Sequence, residues 1–88
     1  MIKLDNGDMP IAAHLVGIKA VVLAKDSRNM RFVVWTCRES MYDFTTEMCM
    51  YSVDDGQWFQ YLDQVKIEFE NRIVKMFKSS DIDHAAAN

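Results

Sequence analysis

The sequence predicts an α+β domain, an antiparallel sheet of about three strands with a long C-terminal amphipathic helix packed on one face. Three observations carry this reading. Apolar residues recur at spacings of three and four from Trp58 to Met76, which describes one face of a helix. The polar cluster Lys25-Asp26-Ser27-Arg28-Asn29 separates two apolar runs of similar length, the pattern of a hairpin. Half of the 88 residues are hydrophobic while only 3 are Gly and 1 is Pro, which suits a packed core and not a disordered chain. Residues 1–80 read as a single domain and residues 81–88 as a flexible tail.

Ile2-Lys3-Leu4 is too short to define a strand by itself, and Asp5-Asn6-Gly7-Asp8 reads as a turn because Asn and Gly tolerate positive φ. Pro10 restricts Met9 to an extended backbone. Ile11 to His14 is compatible with a helix start behind Pro10 or with a strand. From Leu15 to Leu23 the β-branched Val16, Ile18, Val21 and Val22 favour one strand, interrupted by Gly17. Met30 to Cys37 is a strand with apolar residues on both faces: Met30, Phe32 and Val34 on one, Val33, Trp35 and Cys37 on the other. Arg38-Glu39-Ser40 predicts a break. Met41 to Ser52 then alternates with a period of two and is favoured as a half-exposed strand over a short helix capped by Ser40.

The helix is expected to start at Asp54, with Gln57 completing a capping box and Val53 and Trp58 placed for a hydrophobic staple. Its stripe is Trp58, Leu62, Val65, Phe69, Ile73 and Met76, with Glu68 and Arg72 as an exterior i,i+4 pair.

Composition excludes several classes. Charged residues make up 26 % with a net charge of -3, unlike the basic balance of a phosphate-binding protein. Two cysteines, Cys37 and Cys49, are too few for a disulfide scaffold, and the start of the chain does not resemble a targeting segment. Reduced thiols and a cytoplasmic location follow as expectations. No apolar run reaches the length of a membrane span.

No catalytic residue, metal site or cofactor is expected. His14 is the one credible general base, and nothing in the spacing places it beside Cys37 or Cys49. Asp54-Asp55 suits helix capping, and Asp81 and Asp83 suit a solvated tail. Phosphate-binding and dinucleotide-binding glycine patterns do not occur. Phe32, Trp35, Tyr42 and Phe44 with Lys19, Lys25, Arg28, Arg31 and Arg38 around the hairpin make a single-stranded nucleic-acid-binding sheet the alternative function. Interleaved acidic residues and the acidic whole weigh against it. Seven methionines, three of them at Met41, Met48 and Met50, suit an adaptable contact surface as well as a core.

The functional expectation rests on excess apolar surface. One helix covers one face of a three-stranded sheet, which leaves Val33 and Trp35 on the other. Phe59 and Phe77 fall at the far shoulder of the helical stripe, and Ile67 and Val74 lie nearly opposite its centre. These six residues are the expected partner-binding set. A second layer from the N-terminal segment could supply the cover, but a homodimer mate or another protein is favoured, so the chain reads as a non-enzymatic protein-binding or assembly module. The style is that of a small regulator or inhibitor such as bacteriophage and mobile-element accessory chains.

Overall fold

The computed structural model describes residues 2–87, with side chains for residues 2–78. Five strands and one helix follow in the order β1 (Ile2–Leu4), β2 (Met9–Val16), β3 (Lys19–Lys25), β4 (Phe32–Asp43), β5 (Met48–Phe59) and α1 (Leu62–Ala87). The sheet order is β1-β5-β4-β3-β2, with β1 parallel to β5 and the other pairs antiparallel. The α+β class and the C-terminal helix stand, but the sheet has five strands and is mixed, where about three antiparallel strands were expected.

The fifth strand and the parallel pair come from Ile2–Leu4 beside β5, and three local features account for the other differences. The expected strand Leu15–Leu23 is two strands joined at Gly17-Ile18, with Val16 opposite Lys19. Gly17 takes φ +60°, as the first central residue of a tight II′ hairpin turn requires. The expected break at Arg38-Glu39-Ser40 is the middle of a long β4, where the register shifts by one residue between Glu39 and Met41. The reversal comes later, at residues 44–47, inside what was expected to be one strand. There Asp43 accepts the Thr45 N–H at 2.9 Å, and Glu47 takes φ +56°. The Asp54 capping box does not form either. Residues 53–59 belong to β5, and Asp54 marks a second register shift, since Thr36 faces Asp55 and Cys37 faces Val53. Pairing along most of β4 outweighs a local Asp-x-x-Gln signal whose worth is about 1 kcal/mol.

The topology forces the sheet to coil. β1 and β2 occupy its opposite edges, four inter-strand spacings apart, or ~19 Å in a flat sheet. The chain from Leu4 to Met9 reaches at most ~17 Å, and Gly7 N–H bonding to the Leu4 carbonyl at 3.2 Å shortens it further. The edges therefore converge at this turn, and the sheet becomes a partly closed barrel.

Coiling gives the chain two apolar layers. On the outer face Val21, Leu23 and Val34 meet Val65 of α1, with Phe32, Phe59, Phe69, Ile73 and Met76 around them. The helical stripe is thus as expected from Val65 to Met76, while Trp58 belongs to the sheet and Leu62, at the start of α1, is exposed. Inside the curl pack Leu4, Ala20, Val22, Ala24, Val33, Trp35, Cys37 and Tyr51. Val33 is 0 % and Trp35 8 % exposed. The expectation that a partner covers these two is corrected, because the coiled sheet is its own second layer. At roughly 1.5–3 kcal/mol per large apolar side chain, this inner cluster is a main source of stability for a short chain.

Two indole–carboxylate pairs hold the mouth of the curl. Trp35 Nε1 donates to Asp8 Oδ2 at 2.9 Å and Trp58 Nε1 to Asp26 Oδ2 at 3.0 Å, with the two rings edge to face at 5.2 Å. Asp26 also accepts the N–H groups of Arg28 and Asn29, which hold its carboxyl below the usual range. Gly56 sits against the Trp35 ring: a Cβ there would overlap Cζ3 and lie 2.6 Å from Cε3. Gly56→Ala is expected to cost about 1–3 kcal/mol, as overpacking does, read as a lower midpoint in urea. An unchanged midpoint would show that the ring has room to move.

The helix is continuous to Ala87, which takes in most of the expected tail 81–88. The side chains from residue 79 on and all of Asn88 lie outside the described residues.

Candidate functional site

The candidate residues divide into an interior group and an exposed one. Val33 and Trp35 lie in the inner cluster, and Phe59 is half-buried under α1. Ile67, Val74 and Phe77 are exposed, at 61 %, 50 % and 52 %. Phe77 is placed at the sheet edge, its ring 5.3 Å from that of His14 on β2.

That edge was not singled out from the sequence. Its register with β3 places Ala12, His14 and Val16 on the helix side, opposite Leu23, Val21 and Lys19, and Ala13 and Leu15 on the inner side, opposite Val22 and Ala20. Ile11 and Leu15 are each 52 % exposed. β2 pairs with β3 alone, and among the described residues no further backbone bond reaches Ile11 to Val16. Alternate N–H and C=O groups of an edge strand point away from its one neighbour. Met9 to Ile18 contains no Asp, Glu, Lys or Arg. Natural edges are commonly blunted by charge, proline or a bulge. Here Pro10 and the register shift between Pro10 and Ala12 mark only the beginning of the strand, so Ala12–Val16 is regular. The usable signal in the sequence was this uncharged run of ten residues beside Gly17.

Other features are internal. Arg72 donates through Nε to Glu68 at 2.9 Å and through Nη1 to Thr36 Oγ1 and the Asp55 carbonyl. The pair expected on the exterior therefore lies between helix and sheet, the Arg72 side chain being 10 % exposed. It lines a groove of about 590 Å³ with Lys19, Gln57, Lys75 and Met76. Its donors hold the helix down on β4 and β5.

His14 lies on the helix side of β2, whereas Cys37 and Cys49 belong to the inner cluster on the opposite face. The three are not brought together. Burial pushes the Cys37 thiol up to about 12, with the Asp5 charge adding to the effect. Since the thiolate is the reactive form, Cys37 is expected to label with a disulfide reagent at neutral pH only as fast as the domain opens. Rapid modification of two thiols in the folded protein would contradict this burial. Of the four aromatics offered for base stacking, Trp35 is inside and Phe32 is half-buried under the helix. Tyr42 and Phe44 are exposed at the β4–β5 turn but pack edge to face on each other at 4.9 Å. Among the described residues no three His, Cys, Asp or Glu side chains converge as metal ligands, and no helix is long and apolar enough to cross a membrane.

Fold and surface together define a class: a small coiled mixed-sheet α+β domain with an uncharged open edge. Comparison with protein-family models, with curated proteins and with solved structures found no match to this chain.

Proposed function

We propose that the protein is a non-enzymatic protein-binding or assembly module of the cytoplasm, which regulates by occupying the surface of a partner. The observation that supports this reading is the β2 edge, with outward backbone groups, exposed Ile11 and Leu15, and no charge from Met9 to Ile18. Strand addition at such an edge supplies main-chain hydrogen bonds for affinity and side-chain contacts for specificity. Val74 and Phe77 widen the apolar area on the helix side, and Ile67 continues it along the outer face of α1. An uncharged edge left in water invites uncontrolled pairing, so its retention fits a surface with a defined occupant.

The test is site-specific photocrosslinking in the native host, with the reactive residue at Leu15 and a control at the exposed Asp55. A discrete adduct from position 15 and none from position 55 is the expected result. Equal labelling from both positions, or none from either, would remove the reading.

A further inference from the structure

We infer that the occupant of the β2 edge is the β2 edge of a second copy, paired antiparallel about a two-fold axis to join the two sheets. This rests on the binding role proposed for the same edge. The argument is one of symmetry and charge. A two-fold axis places a surface against itself, so a charged side chain near the axis meets its own like charge. An edge that binds an acidic or basic peptide carries the opposite charge. An edge that binds itself is best free of acidic and basic side chains, and Met9 to Ile18, between the flanking Asp8 and Lys19, holds no Asp, Glu, Lys or Arg, His14 being its one ionisable side chain.

The geometry agrees on both faces of the strand. After the shift at Pro10, Ala12 to Val16 runs without interruption, and its small Ala12 and Ala13 leave a second backbone free to approach. On the inner side the exposed Leu15 would meet apolar residues of the mate. On the helix side, Phe77 over His14 would bring the C-terminal part of α1 alongside the equivalent helix, covering Val74 and Phe77. One rotation thus conceals the open ladder and apolar surface on both of its sides.

Sedimentation velocity of the full chain from low to high micromolar concentration is the test. The expected result is a dimer that Leu15→Lys and Leu15→Glu each weaken at least about tenfold, with association restored on mixing the two variants. Met41→Lys, at the distant β4–β5 arm, should leave the dimer constant unchanged. Circular dichroism of each variant separates lost association from lost folding. A wild-type monomer throughout, or a dimer insensitive to charge at Leu15, overturns self-pairing. If the chain is monomeric but Leu15 crosslinks to a different protein in the host, the edge still binds and only its assigned occupant is wrong. A monomer without crosslinks at that position removes both proposals.

Discussion

Trp35→Ala is expected to lower the stability of the domain by about 3–5 kcal/mol, the usual range for deleting a buried large aromatic side chain. Three losses combine. The ring lies in the inner cluster at 8 % exposure and over Gly56, so its removal leaves a cavity that the coiled strands are poorly placed to close. Its indole N–H no longer donates to the buried Asp8 Oδ2, which is left with the Asn6 side-chain amide as its donor. Trp58 also loses its edge-to-face neighbour. Small domains hold only about 5–15 kcal/mol in total, so the variant should be partly unfolded at modest urea. Trp35→Phe separates the terms, because it keeps most of the ring and loses the donor; about 1–3 kcal/mol is expected. Urea titration by circular dichroism measures both. Two variants with the wild-type midpoint would mean that the inner face is not a core.

Arg72→Met is expected to cost about 2–3 kcal/mol, somewhat below the ~3–5 kcal/mol of breaking a fully buried pair because Glu68 keeps some contact with water. The substitution retains the aliphatic packing of the stem while removing the bonds to Glu68, Thr36 and the Asp55 carbonyl. The informative comparison is the double variant Arg72→Met with Glu68→Gln. Removing the stranded charge should recover part of the loss, so the double variant is expected to be more stable than Arg72→Met alone. Additive losses would mean that the two side chains do not interact, against their 2.9 Å contact.

What could be read from the sequence was the local periodicity. The stripe Val65, Phe69, Ile73 and Met76 faces the sheet as its spacing requires, and the polar stretch after Lys25 does separate two strands. Long-range pairing was not legible. Residues 44–47 turn without Gly or Pro, Glu47 taking the left-handed φ that a side chain ordinarily avoids. Asp54-x-x-Gln57 imitates a helix cap but lies in a strand whose partners are far away in sequence. The curl is a consequence of strand order, which no local pattern encodes. Missing it made Val33 and Trp35 look uncovered. For Ile67, Val74 and Phe77 the inference of exposure needed only the helical period, and these are the candidates found on the surface.

The β2 amides report most directly on whether this edge is a binding surface. Hydrogen exchange of Ile11–Val16, measured on dilute and on concentrated protein, should show outward-facing amides that exchange quickly when dilute and become protected as the concentration rises. The β3 amides, paired on both sides within one chain, should be protected throughout. Outward β2 amides that stay equally unprotected at every concentration, with or without the native partner extract, would contradict a role for the open edge in association.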